Sequence, residues 1–429
     1  MNNLAQELNR VLAGTVVADL LSDFGRRLYF PKGIVAQSAE AKKHAQRLDA
    51  TIGMATLKGQ AMCLPSIRDR IDGLTPNQIF AYAPTAGVLQ LREAWKQEMV
   101  LKNPSLEGKP TSLPIVVAGL TCGIFTVADL FLDSGESALI PDMFWGNYRL
   151  IVEERRQAQV ATFPFFADGG GFNLQALEGA LREAGGRGKA FLILNFPNNP
   201  TGYSPNGSEA SALVRLLERF AREGLKILVV LDDAYFGLFY EENTYKQSLF
   251  AELAGLHPNL LAVKVDGPTK ENLVWGFRLG FVTFAAPGLG EDHYHALTQK
   301  VMGAVRSSVS SSSQLAQSLM LKAMGSPRYR QEKEEAFRLL EQRYRRVREI
   351  VKRCPPVLKP LAFNSGYFMT FLLPGGRAEE LRKLLLMERG IGVISIQDRY
   401  LRVAYSSVEV ERLEELYGII FAAAEGLLA

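Results

Sequence analysis

Lys270 lies in the glycine-flanked loop Gly267-Pro268-Thr269-Lys270, and Arg278 follows eight residues later within Gly276-Phe277-Arg278-Leu279-Gly280. A lysine amine can condense with a carbonyl to form a Schiff base, and a guanidinium fork grips a phosphate or carboxylate. Upstream stands Asp232-Asp233-Ala234-Tyr235 at the end of an apolar run. A carboxylate there is costly to bury without a cationic partner. Further upstream comes Asn195-Phe196-Pro197-Asn198-Asn199-Pro200-Thr201-Gly202, whose prolines and glycine force a tight turn that leaves amide side chains at its mouth. Taken singly, each has a plainer reading: a solvent-facing lysine, a solvated strand end or helix cap, an ordinary surface turn. The order Asn, Asp, Lys, Arg, with the first three each behind its own apolar run, is what points to chemistry.

The runs that position these loops are 115–118, 137–140, 190–194, 227–231, 260–265 and 279–284, with helix-period segments at 121–133, 145–156, 174–184 and 208–223 between most of them. Fully apolar strands alternating with amphipathic helices give an α/β fold with a mostly parallel sheet covered on both faces. In such sheets ligands bind outside the carboxyl ends of the strands, where the loops above fall. The chain then changes character. A charged helix over 326–353 stops at Pro355-Pro356, and a strand (367–373), a helix (377–389), a strand (400–405) and a helix (407–424) follow. That is the pattern of a smaller α+β domain, with the boundary near 325. The serine run 307–313 leads straight into a helical pattern and reads as the loop that starts a helix.

Composition narrows the function classes. A net charge of +4 from 49 basic and 45 acidic residues leaves no concentrated basic face for a nucleic acid. Cys63, Cys122 and Cys354 are too few and scattered for a disulfide framework or a zinc site, so a cytoplasmic setting is expected, without a metal. The first 25 residues read as an amphipathic helix, because Glu7 and Asp19 spoil a signal peptide. No run approaches the about 20 apolar residues that span a bilayer, so neither membrane nor nucleic acid is an expected partner. The glycine fingerprint of a nicotinamide site and the P-loop motif are both missing; GGRGK at 185–189 has the wrong spacing.

The Asn–Asp–Lys–Arg order suits pyridoxal 5′-phosphate. That cofactor needs a lysine for the Schiff base, an acid to keep its pyridine nitrogen protonated, donors for its ring oxygen and cations for its phosphate. On these motifs the sequence resembles the class I/II aminotransferases, the fold-type I pyridoxal-phosphate enzymes. The resemblance implies a mostly parallel seven-stranded sheet with helices on both faces, forming a large domain over 61–324, and a small domain built from 1–60 and 325–429. It implies a catalytic set of Lys270 as Schiff-base lysine and proton shuttle, Asp232 as partner of the pyridinium, and Tyr235. Asn199 and Tyr235 are similar to the donors to the ring oxygen, and Thr269 and Arg278 to the phosphate ligands. Gly119-Leu120-Thr121-Cys122-Gly123 looks like the phosphate cup, with Leu120, Thr121 and Cys122 at a helix start. Trp145 resembles the ring-stacking aromatic, with Phe144 as its rival. Tyr82, in Tyr82-Ala83-Pro84-Thr85-Ala86-Gly87, resembles the tyrosine that reaches the phosphate of the neighbouring subunit, which implies a homodimer with shared active sites.

For the substrate, the resemblance implies that Arg402 binds the α-carboxylate, with Asn199 and Gly53 as further contacts. It implies that Arg306 of the partner reads a distal carboxylate, and an Arg at a helix start is the competing reading. The implied reaction is transamination between an amino acid and a 2-oxo acid, with aspartate or glutamate and 2-oxoglutarate as the expected pair. Other activities of the same fold type stay open: C–S or β-lyase and decarboxylase, cyclopropane-forming synthase, and a non-catalytic aminotransferase-like protein. Two positions depart from the family pattern. Gly267 stands where many relatives have Ser or Thr, and Glu271, directly after the lysine, has no assigned role.

Overall fold

In the computed structural model, which describes residues 2–13, 21, 23–27, 34–51 and 53–428, the larger sheet has seven strands. They are β1 (Ile115–Val117), β2 (Ser137–Pro141), β3 (Gln159–Phe163), β4 (Lys189–Leu194), β5 (Lys226–Asp232), β6 (Leu260–Asp266) and β7 (Gly280–Ala285). Their spatial order is β1-β7-β6-β5-β4-β2-β3. β7 runs antiparallel to both β1 and β6, and the other neighbours are parallel. This is the α/β arrangement expected from the sequence. Runs such as Ala190–Leu194 and Ile227–Leu231 are buried along their length, because helices cover both faces. β3 escaped the sequence reading. It is an edge strand paired only with β2, its first four residues are not buried, and so it carries no sharp apolar run.

This topology gathers the chemistry at one edge. β1, β4, β5 and β6 are parallel, so the residues after Val117, Leu194, Asp232 and Asp266 emerge on the same side. β7 is antiparallel, so its start, just past Arg278, returns to that side.

The smaller sheet is antiparallel, with β8 (Lys359–Pro360), β9 (Phe368–Leu372), β10 (Ile394–Ile396) and β11 (Tyr400–Ala404) in the order β8-β9-β11-β10. The charged helix is Tyr329–Ile350, and it buries Leu340, Tyr344 and Val347. Leu48–Asp49 pairs in parallel with Ile391–Gly392, 343 positions further along the chain. The last helix starts at Leu413 rather than 407. Ser407 Oγ bonds the carbonyls of Ala404 and Asp49, which holds this stretch in a tight turn instead. Ser313 caps the helix Gln314–Met324 by accepting from the Ala316 amide, so the serine run does start a helix. The expected N-terminal helix spans Asn3–Leu12; most of the rest of that expectation, 14–20 and 22, lies outside the described residues.

Candidate active site

The turn after β4 supplies two amides. Asn195 Nδ2 donates to the Asp232 carbonyl at 2.7 Å, tying the loop after β4 to the end of β5. Asn195 Oδ1 accepts from the Asn199 amide at 2.8 Å, which fixes the Asn199 side chain near the sheet edge. Asn199 Oδ1 in turn accepts from Arg402 Nη1 at 2.9 Å, so its Nδ2 is the group left to face inward.

Asp232 ends β5 and is buried. Burial pushes its carboxyl up to about 6, although Tyr148 and the nearby Lys270 pull the other way. Tyr148 Oη donates to Asp232 Oδ2 at 2.5 Å. Lys270 is half-buried. Burial brings its amine down to about 8, Asp232 counteracts this, and Arg278 adds to it. Lys270 Nζ stands 5.3 Å from the Tyr235 ring centre. Burial also raises the Tyr235 hydroxyl, so it is a proton donor at neutral pH.

Opposite, the helix Leu120–Phe131 begins at Gly119, whose φ of +84° only glycine adopts freely. A Cβ there would stand 2.6 Å from Arg278 Nη2, so the missing side chain lets the guanidinium lie against the helix start. Thr269, Leu120, Thr121, Trp145 and Arg278 line one cavity of about 280 Å³ with Asp232, Tyr235, Lys270 and Asn199. Donors at a helix start plus a guanidinium form an anion cradle. A buried carboxylate, an aromatic wall and a low-pKa lysine complete what pyridoxal phosphate requires, so the residues present fit that cofactor.

Arg402, in the middle of β11, is 2 % exposed. Its Nη2 donates to the Thr51 carbonyl at 3.0 Å, and its Cζ lies 4.3 Å from the Phe368 ring centre. Its Nε is buried with no partner among the described residues. Burial lowers Arg402 to about 10. A buried cation with an unused donor has the chemistry to take a carboxylate. Gly53 is close by: a Cβ on it would stand 3.0 Å from Phe368 Cζ and 3.5 Å from Tyr235 Oη.

Of the expected residues, Arg402, Gly53, Cys122, Tyr82 and Arg306 do not line this cavity in the single chain. Cys122 packs its side chain into the core beneath the helix. Tyr82 is 93 % exposed. Arg306 is exposed in the last turn of the helix Glu291–Ser308, not at a helix start, and bonds Ser310 Oγ at 2.6 Å. Between the rival aromatics, Trp145 lines the cavity, whereas Phe144 stacks on Tyr148. Tyr148 itself was missed as a site residue. Its partner Asp232 stands 84 positions away, so no local spacing signals it. Gly267 also acquires a reason: a Cβ would meet the Leu279 carbonyl at 2.7 Å and Gly280 Cα at 3.0 Å, so no serine or threonine fits there without a backbone shift.

The model of the family described as aminotransferase class I and II matches residues 51–420. The chain belongs to this family. It is therefore a pyridoxal-phosphate-dependent aminotransferase. It is 28 % identical to the "Probable aspartate/prephenate aminotransferase" of Aquifex aeolicus, over 78 % of this chain and 81 % of that one. It is 26 % identical to the aspartate aminotransferase of Pyrococcus abyssi, with the same coverage. Among solved structures, an aminotransferase of Anaerococcus prevotii superposes with a TM-score of 0.82 at 24 % identity, covering 92 % of this aminotransferase and 97 % of that chain. The aspartate aminotransferase of Thermus thermophilus with maleate gives a TM-score of 0.74 at 20 % identity, covering 94 % and 99 %. These two structures share the fold. Among the described residues, no helix is long and apolar enough to cross a membrane.

Proposed function

We propose that this aminotransferase moves the amino group of a dicarboxylic amino acid, aspartate or glutamate, to a 2-oxo acid, with 2-oxoglutarate as acceptor. The observation that carries the reading is the convergence of Lys270, Asp232 and Arg278 on one cavity, with the unpaired Nε of Arg402 buried nearby. The names of the Aquifex aeolicus and Pyrococcus abyssi relatives both include aspartate, which supports the choice of substrate.

The bound cofactor supplies a carbonyl for covalent attachment and a protonated ring that accepts electron density. In the proposal Arg278, Thr269 and the backbone N–H groups of Leu120, Thr121 and Cys122 hold its phosphate, and Trp145 stacks on its ring. Asp232 keeps the ring nitrogen protonated, while Asn199 and Tyr235 donate to the ring oxygen. Arg402 binds the substrate α-carboxylate and, with Asn199 and Gly53, orients the Cα–H bond. Lys270 Nζ then acts as the base that takes the Cα proton and as the acid that returns it. Its lowered pKa suits both tasks near neutral pH.

The working unit is a homodimer in this reading. Tyr82 and Arg306 are exposed in the single chain, as residues reaching a neighbour's cavity would be. The division into 61–324 and 1–60 with 325–429 belongs to the same proposal, supported by the pairing of Leu48–Asp49 with Ile391–Gly392. So does a cytoplasmic setting, supported by three free cysteines.

The test is a steady-state panel of amino donors with 2-oxoglutarate, on the native protein and on Arg306→Gln. A dicarboxylate pair predicts that the variant loses aspartate and glutamate turnover far more than alanine or aromatic turnover. Equal losses reject the role of Arg306. Pyruvate and ammonia from cysteine-like substrates without an acceptor would favour a lyase instead.

A further inference from the structure

Lys270 sits in neither a strand nor a long helix. Its turn is held by local backbone bonds, from the Asn272 amide to Pro268 and from the Val274 amide to Thr269, and leaves through Leu273 at a φ of +60°. Such a segment needs other anchors to hold its shape. Three consecutive residues have them. The Lys270 carbonyl accepts from Tyr367 Oη at 2.8 Å. Asn272 Nδ2 bonds Tyr329 Oη at 2.5 Å. Between them Glu271 Oε2 meets Lys102 Nζ at 2.5 Å and its Oε1 meets Lys333 Nζ at 3.0 Å.

The two lysines come from different parts of the molecule. Lys102 ends the helix Leu89–Lys102 beside the larger sheet, with its ammonium 5.4 Å from the Phe236 ring centre. Lys333 belongs to the helix Tyr329–Ile350, and it also approaches Glu98 at 3.5 Å. The Glu271 side chain is only 15 % exposed and those of Lys102 and Lys333 are 20 % and 14 % exposed. Gly237 makes room for the carboxylate: at a φ of +94°, a Cβ there would stand 2.6 Å from Glu271 Oε1. Burial pushes the Glu271 carboxyl up, but the two lysines outweigh it and hold it down to about 2, so it stays charged.

We propose that Glu271 is a positioning residue, which fixes the backbone of Lys270 by bridging Lys102 of the cofactor side to Lys333 of the C-terminal helix. The inference rests on the reading of Lys270 as the cofactor lysine. An amine that must both hold a cofactor covalently and reach a substrate proton depends on a fixed Cα. The bridge also ties that Cα to the part of the chain that carries Arg402.

The experiment compares native holoenzyme with Glu271→Gln, Glu271→Asp and Lys333→Gln. The readouts are the visible circular dichroism of the lysine-bound cofactor, and kcat and KM for the amino-donor half-reaction. Misplacement of a reacting group by about 1 Å costs up to about 100-fold in rate, so Glu271→Gln is expected to weaken the visible dichroism and lower kcat about tenfold or more with little change in KM. Glu271→Asp should recover part of both. Lys333→Gln, which leaves the Lys102 pair intact, should give the same change to a smaller degree, and it carries the test should Glu271→Gln not fold. Unchanged dichroism and kcat in a folded variant, even one with a lower Tm, would overturn the proposal. Borohydride trapping of the native holoenzyme at a residue other than Lys270 would instead defeat the underlying reading.

Discussion

Tyr148 Oη and Asp232 Oδ2 are 2.5 Å apart, and both groups are buried. The hydroxyl has a fixed job: it occupies one carboxylate oxygen and opposes the rise in pKa that burial imposes on Asp232. Removing it in Tyr148→Phe should raise the Asp232 pKa above about 6, so that less of it is ionised at neutral pH. A hydrogen bond to a charged group is worth about 1.5–3 kcal/mol, so cofactor affinity should fall roughly tenfold or more. Titration of the cofactor-free variant with pyridoxal phosphate measures this. Native affinity would show that Tyr148 does not tune Asp232.

The pH dependence of cofactor capture follows from two opposed shifts. Asp232 is ionised above about 6 and Lys270 is a free amine above about 8. The rate of covalent capture by the cofactor-free protein should therefore climb in two steps and level off above the second. Asp232→Asn should abolish the lower step and keep the upper. The linked stability effect has a definite sign. An unfolded Lys270 holds its proton to 10.5, so the folded protein gains stability as pH rises from about 8 towards that value. The raised pKa of Asp232 acts oppositely: its contribution is greatest below 3.8 and is lost as pH rises through about 6. Stopped-flow capture and thermal denaturation across pH test both.

Arg402→Lys keeps a cation but loses the fork. Breaking a buried, hydrogen-bonded charge pair costs about 2–5 kcal/mol, so kcat/KM should fall at least about 30-fold for every amino donor, whatever its side chain. A loss confined to dicarboxylic donors would move Arg402 from the α-carboxylate to the distal one.

The alternation of apolar runs and helix-period segments made six of the seven large-sheet strands legible, and their shared edge made Asn199, Asp232, Lys270 and Arg278 legible with them. The seventh, Gln159–Phe163, was hidden because an edge strand buries too little to leave a pattern. Tyr148 was hidden for another reason. Its role depends on reaching Asp232 across 84 positions of sequence, and no local spacing encodes such a contact. Glu271 was visible but mute, since its partners Lys102 and Lys333 lie on helices far from each other in the sequence. Gly267 looked like a lost hydroxyl, and the close approach of the Leu279 carbonyl explains it as a steric requirement.

Lys270 is the proposed carrier of the cofactor. Holoenzyme reduced with borohydride, digested and mapped by mass spectrometry should show the pyridoxyl mass on the peptide containing Gly267-Pro268-Thr269-Lys270. A pyridoxyl mass on any other lysine, or none on this one, would contradict it.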